Sequence, residues 1–211
     1  AISEQEGISI KYTGEYSLFS ISETAALDSV LHYSRQYGIQ GNILRIPPVY
    51  GYGPHTEIFK EGKPIKTGFK IFIEKALKGE TIEVWGNPNN GRDIIYVKDV
   101  VNAMISALKS RQAKGIFNIS SGRRLTLEEQ VRTIAQVFSP SNILPKIQYI
   151  PEKENSIDSY FYDITKAKKE LGWAPQYSFE QMLIDYRDEE RKGRFEFLIK
   201  KRNKLLSGDM A

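Results

Sequence analysis

An α/β layer architecture is predicted because segments with apolar residues at helical spacing alternate with short apolar runs, glycines or capping pairs close many of them, and no unit repeats. Residues 20–37 carry Ile21, Ala25, Leu27, Val30 and Leu31 at helical spacing, and Gly38 can end that helix. Residues 42–45 form an apolar strand, terminated by Pro47-Pro48 because proline has no N–H for a ladder. Residues 50–66 are rich in glycine, proline and charge and read as one long loop, a kind that is usually functional or mobile. Helical period returns over 69–77 and stops at Lys78-Gly79; residues 81–85 are a strand, 86–91 a turn and 93–97 a second strand.

A further amphipathic helix covers 99–108, and a strand covers 115–119 with Asn118 interrupting its apolar run. Thr126 and Glu129 make a capping box for a helix through Phe138, since hydroxyl and carboxylate can each satisfy an orphan backbone donor. A strand over 146–150 and a short helix over 163–171, ended by Gly172, come next. Ser178 and Gln181 form a second capping box, opening a long helix dense in arginine, lysine and glutamate beyond Tyr186.

Composition excludes several function classes. The formal charge of +4 is the small difference between 30 basic and 26 acidic residues, interspersed except near the end, so no general nucleic-acid footprint is expected. Without cysteine there is no disulfide framework, thiolate nucleophile or cysteine-based zinc site, and only His32 and His55 offer imidazole. No apolar run approaches the length needed to span a bilayer, so a soluble, cytoplasmic protein without membrane or nucleic-acid partners is expected. The first residue is alanine and residues 1–15 are polar and loop-like, which suggests a fragment whose natural beginning is missing.

A dinucleotide-binding fold needs a glycine-rich turn after its first strand so that the backbone can approach a pyrophosphate. No G-x-x-G-x-x-G or G-x-G-x-x-G occurs, nor a P-loop, an H-E-x-x-H or a G-x-S-x-G elbow.

The order of the remaining motifs is specific. Tyr37-Gly38, Arg45 and Val49-Tyr50-Gly51-Tyr52-Gly53-Pro54 are similar to an L-R-x-x-N-V-Y-G-P segment. Val84-Trp85-Gly86 and then Gly91-Arg92-Asp93-Ile94-Ile95-Tyr96-Val97-Lys98-Asp99-Val100 resemble a G-x-x-x-x-R-D-F-I-Y-V-x-D-V signature. Phe117-Asn118-Ile119-Ser120-Ser121-Gly122 resembles Y-N-I-G-S-G, and Leu171-Gly172-Trp173-Ala174-Pro175 resembles L-G-W-x-P. Together these motifs resemble the NAD-dependent epimerase/dehydratase family, extended short-chain dehydrogenase/reductases acting on nucleotide sugars, in its C-terminal part only. The resemblance implies the last strands and helices of a Rossmann-like doubly wound sheet plus a smaller α/β substrate-binding domain. It implies a remnant of the NAD-binding domain over 1–46 and a mixed sugar-nucleotide-binding region over 47–211, with some segments returning to the Rossmann sheet.

In that family a Y-x-x-x-K pair carries the chemistry, and the family's interval places it on Phe19 and Glu23. The tyrosine would act as acid or base on a sugar hydroxyl, its phenol needing the lysine's positive charge to ionise near neutral pH. Phe19 has no proton to exchange and Glu23 brings the opposite charge. An alternative register pairs Tyr16 with Ser20 and also lacks the lysine. Either Phe19 is a core aromatic and Glu23 a helix-face charge in a member that no longer reacts, or Glu23, Tyr50 or Tyr16 has been recruited as a new acid or base. NAD belongs to the family, but these residues alone are not expected to hold it.

On the binding side, the resemblance implies that Arg92 reaches the diphosphate of a UDP- or dTDP-linked sugar, a task suited to a guanidinium fork. The alternative for Arg92 is a surface salt bridge. Trp85 falls where relatives place a side chain beside the nucleotide base, or else it is a buried strand tryptophan. Lys153 stands near a second phosphate-binding arginine of relatives, keeping the charge without the fork, while Pro48 and Thr67-Gly68 depart from substrate-contacting asparagines. Asn118 is expected to support its strand and turn, and Tyr96 and Asp99 to orient the following helix, Asp99 as its cap. His55 reads as a solvated loop residue, with an acid or base role as the alternative; His32 as a surface or interface residue; and the terminal run Lys200-Lys201-Arg202 with Lys204 as a solvated helix end, with contact to membrane phosphates or nucleic acid as the alternative. The expected protein therefore binds a sugar nucleotide and is inactive alone, with a homodimer or a missing N-terminal half as possible partners. The alternative is a non-catalytic binding or assembly module.

Overall fold

The computed structural model describes residues 1–7, 10, 12–14, 17–53, 57–60, 63–140, 143–155 and 159–206. Its elements are α1 (Ser17–Tyr37), β1 (Asn42–Arg45), β2 (Val49–Tyr50), β3 (Glu57–Lys60), β4 (Lys63–Lys66), α2 (Gly68–Lys78), β5 (Ile82–Trp85), β6 (Gly91–Arg92), β7 (Ile95–Tyr96) and α3 (Val97–Lys109). There follow β8 (Gly115–Asn118), β9 (Leu125–Thr126), α4 (Leu127–Phe138), β10 (Ile147–Ile150), a π-helical turn (Ala167–Leu171), α5 (Phe179–Arg191) and α6 (Glu196–Leu206). They form two compact units, each assembled from three stretches of chain. The first takes Ala1–Val49, Arg92–Arg124 and Tyr160–Gln176; the second takes Tyr50–Gly91, Leu125–Ser159 and Tyr177–Ala211.

In the first unit β1 and β8 run parallel, with Asn42 opposite Gly115 and Arg45 opposite Asn118. The core packs Val100, Ala103 and Ala107 of α3 with Phe117 of β8, with Leu171 at the end of the π-helical turn and with Trp173 just after it. The short side chains of α3 allow the helix to approach closely, and burial of this apolar surface is the main stabilising term. Lys166 Nζ donates to the Ile116 carbonyl at 2.7 Å and lies 4.2 Å from the centroid of the Phe117 ring.

The packing of α1 differs from the expected pattern. It has no fully buried residue, and its half-buried stripe runs through Ser17, Ser20, Thr24, Leu27, Leu31 and Ser34. Only the two leucines of the expected apolar set lie on that stripe; Ile21, Ala25 and Val30 are exposed. The expected set spans too wide an arc for contact with one strand, so the helix seats its small residues and turns the larger ones outward.

In the second unit α2 and α4 pack on β5 of the parallel pair β5–β10, in which Ile82 is opposite Ile147 and Trp85 opposite Ile150, and α5 packs against α4. Ile73, Val84, Val131, Ile134, Leu183 and Tyr186 fill its core. Thr126 Oγ1 accepts from the Glu129 N–H at 3.1 Å, and at α5 both halves of the Ser178–Gln181 box are present. The region read as one loop contains an antiparallel hairpin, β3–β4, with Glu57 opposite Lys66. Ladder pairing between two short segments is set by their mutual register, which glycine- and proline-rich composition obscures. The expected single long terminal helix is two, because Gly193 adopts φ 62° after α5 and restarts the chain as α6. Of the expected strand over 93–97 only Ile95–Tyr96 forms strand, as β7; β6 ends before the fully buried Asp93, and Val97 already begins α3.

Candidate functional site

Alternation along β5 sends Ile82 and Val84 into the core and Glu83 and Trp85 to the opposite face. Gly86 follows at φ 69°, and a Cβ there would stand 2.7 Å from Asn155 Nδ2, whose amide donates to the Trp85 carbonyl. Backbone and turn thus hold Trp85 in place, while the residue remains 46% exposed. The buried-strand alternative for Trp85 is therefore set aside. Its Nε1 donates to Glu83 Oε2 at 2.8 Å, and Lys153 Nζ reaches the same oxygen at 3.3 Å and lies 4.4 Å from the indole centroid. The indole hydrogen bond, and after it that of Lys153, holds the Glu83 carboxyl below the usual glutamate range. An open aromatic face beside an ammonium can stack on a planar base and meet an anion.

Arg92, in the first unit, is half-buried, and its backbone bridges Tyr160. Among the described residues no carboxylate lies within ion-pair reach of its guanidinium, so the surface-salt-bridge alternative has no partner there. Its neighbour Asp93 is the residue that sequence reasoning missed. Asp93 Oδ1 accepts from the Ser121 N–H at 3.0 Å and the Ser121 hydroxyl at 2.6 Å; Oδ2 accepts from the N–H groups of Gly122 at 3.2 Å and Tyr162 at 3.1 Å. A buried carboxylate persists only when so satisfied. A charge between apolar neighbours in Arg92-Asp93-Ile94-Ile95 was the available signal.

Asp99 does not cap α3. The N-cap is Tyr96, without a side-chain cap bond, and Asp99 sits buried one turn further on. There its Oδ1 accepts from the Gln176 N–H at 2.9 Å and its carbonyl accepts from Trp173 Nε1 at 3.1 Å, fastening the Leu171–Pro175 motif to α3. Asn118 donates through Nδ2 to the carbonyls of Ile2 and Asp163, both at 3.0 Å, the supporting role expected of it. Arg45 fixes the same first residues, donating to the Ser3 carbonyl at 3.0 Å.

Phe19 is 64% exposed, which corrects its reading as a core aromatic, and Glu23 is also exposed on α1. Tyr16 and His55 lie outside the described residues. Tyr50 packs on Phe69 with ring centroids 4.6 Å apart, and His32 is exposed beside Tyr33 and Tyr37. Four tyrosines, Tyr52, Tyr149, Tyr162 and Tyr186, have their pKa displaced upward. Burial raises Tyr52, Tyr162 and Tyr186, and the hydrogen bond to Glu128 raises Tyr149. An easily ionised phenol, the requirement of the family's chemistry, is the opposite condition.

Among the described residues no strand-to-helix turn is glycine-rich. Where β4 leads into α2, the link is Thr67 with the single Gly68, and Gly86 after β5 opens a turn and not a helix. A pyrophosphate needs several glycines at such a strand-to-helix turn.

The family model described as "NAD dependent epimerase/dehydratase family" matches residues 3–120. The chain is 34% identical over 118 residues to the Low-salt glycan biosynthesis protein Agl12 of Haloferax volcanii, covering 54% of this chain and 37% of that protein. It is 29% identical over 163 residues to UDP-glucuronic acid decarboxylase 3 of Arabidopsis thaliana, covering 77% and 43%. Among solved structures, the UDP-glucose 4-epimerase of Thermotoga maritima, determined with UDP-glucose, superposes with a TM-score of 0.65 at 26% identity, covering 90% of this chain and 60% of that one. The WbmF enzyme of Bordetella bronchiseptica, at 22% identity, shares the fold with a TM-score of 0.71 over 97% and 62%. The chain spans less than half the length of these curated relatives. With the matched region covering more than half of the chain, and with parallel strand pairs and flanking helices as in the Rossmann-like epimerases, this chain belongs to the NAD-dependent epimerase/dehydratase family.

Proposed function

We propose that this chain is the sugar-nucleotide-binding part of a nucleotide-sugar epimerase/dehydratase-like protein of cytoplasmic glycan or polysaccharide biosynthesis, and that it transfers no hydride alone. The observation that carries the binding side is the open indole face of Trp85 with Lys153 beside it. Trp85 stacks on the base of a UDP- or dTDP-sugar, and Lys153 exchanges its contact with Glu83 for a phosphate oxygen. Arg92 keeps a guanidinium free of carboxylates among the described residues and takes phosphate as a fork. On the catalytic side, Phe19 lacks an exchangeable proton and Glu23 would oppose an oxyanion. The exposed Leu18, Phe19, Tyr33 and Tyr37 of α1 favour a working protein in which this helix is covered, by the family's nucleotide-binding half or by a second copy.

A fluorescence titration tests the binding claim, since Trp173 is buried and Trp85 is open. UDP- or dTDP-hexose should quench weakly and saturably, and Trp85→Phe should abolish the change. Quenching that survives Trp85→Phe removes Trp85 from the site. A separate assay at the NADH wavelength tests inactivity: turnover with any sugar nucleotide that is lost in Glu23→Gln would establish a recruited base instead.

A further inference from the structure

Residues 191–206 hold seven basic side chains against one carboxylate, a net +6 in a chain whose total is +4, so the other 195 residues are net −2. Four of these basic residues, Lys200, Lys201, Arg202 and Lys204, lie on α6 together with the one carboxylate, Glu196. After Gly193, α6 is anchored by Phe195, whose ring lies 5.8 Å from Tyr52, and by Lys192 and Arg194, which meet Glu189 at 3.0 and 3.2 Å. Ile199 and Arg202 are half-buried, whereas Phe197, Lys201, Lys204 and Leu205 follow the spacing of one helix face and are all exposed. Phe197 is 73% exposed, and Leu198 and Leu205 are 44% and 50% exposed. Lys200, paired with Glu196 at 2.8 Å, flanks this face.

We propose that the outer face of α6 lies on an anionic lipid surface, with Phe197, Leu198 and Leu205 entering the headgroup boundary and the lysines meeting lipid phosphates. Lysines interleaved with one aromatic and two leucines on an exposed helix face match an interfacial helix, which gains from apolar insertion and charge attraction together. A second copy is disfavoured, because a two-fold contact would set one such cationic patch against its twin. Nucleic acid is disfavoured too: a phosphate groove gives exposed leucines nothing to bury against. The sequence alone favours a solvated helix end for this run over contact with membrane phosphates or nucleic acid; the exposure of its apolar residues is what shifts the balance.

Vesicle sedimentation of the full chain tests this, using phosphatidylcholine alone and phosphatidylcholine with a third replaced by phosphatidylglycerol. The chain should sediment only with the anionic vesicles and be released as salt rises. Each of Lys201→Glu and Lys204→Glu should weaken partitioning by at least roughly fivefold, and Phe197→Ser by about tenfold at constant salt. All three positions are exposed, so circular dichroism should be unchanged. Failure to sediment with anionic vesicles, equal binding to neutral ones, or indifference to Phe197→Ser would each overturn the proposal, as would tighter binding to a single-stranded RNA than to the vesicles.

Discussion

The indole Nε1 of Trp85 and the ammonium of Lys153 converge on a single oxygen, Oε2 of Glu83, at 2.8 and 3.3 Å. Because that carboxyl is held below its usual range, its ionised form is the one the fold favours. The stabilisation is present above the ordinary glutamate pKa and is lost as pH falls through the lowered one. Trp85 emission should therefore change in acid, below the ordinary glutamate range, and Glu83→Gln should remove that transition. A transition that persists in Glu83→Gln would assign it to another group.

Asp93→Asn should be costly. The amide retains an acceptor oxygen but places an NH2 against donors from Gly122 and Tyr162 or from Ser121. A loss of about 2–4 kcal/mol is expected, following the cost of buried unmatched donors. Urea unfolding measures it, and a loss below about 0.5 kcal/mol, the surface-substitution range, would mean that the turn re-forms its bonds elsewhere.

Gly91→Ala should destabilise by a different route. A Cβ there would stand 2.2 Å from the Leu125 carbonyl oxygen and 2.6 Å from the Thr126 Cα, both backbone atoms. The strands must separate to admit it, so the melting temperature should fall by several degrees and amide exchange near residues 125–127 should rise.

Phe19→Tyr with Glu23→Lys restores the family's residue types at two exposed positions of α1. Stability should change by no more than about 0.5 kcal/mol. No absorbance change at the NADH wavelength should appear, because the glycine-rich turn for NAD is still missing. Redox turnover by this variant would place a cofactor grip in residues not suspected of it.

Local signals were legible where a residue's role is settled by its near neighbours. Thr126, Ser178 and Gly172 end or begin helices through bonds within a few residues, and each was recognisable from spacing alone. Asp99 was misassigned as a cap because its partners, Trp173 and Gln176, are more than seventy residues away. The core-aromatic alternative for Phe19 fails because hydrophobicity predicts burial only when another element covers the position, and for α1 the covering surface is small. The Gly193 break had a visible signal, one glycine inside a charged helical pattern, which the continuing periodicity outweighed. At the candidate site, Trp85 and Lys153 were identified from motif order, while Glu83, which joins them, lies between motif positions and became evident only through its contacts.

The interleaving of the two units bears on how the protein is made. The chain passes from one to the other at residues 49–50, 91–92, 124–125, 159–160 and 176–177, so no single cut releases either one whole. During synthesis the first cannot close before Trp173 emerges to meet Asp99, nor the second before α5 arrives to complete its core. Both must acquire their last contacts late and across long stretches of sequence, which favours slow, strongly coupled folding and leaves truncated products with open apolar surfaces.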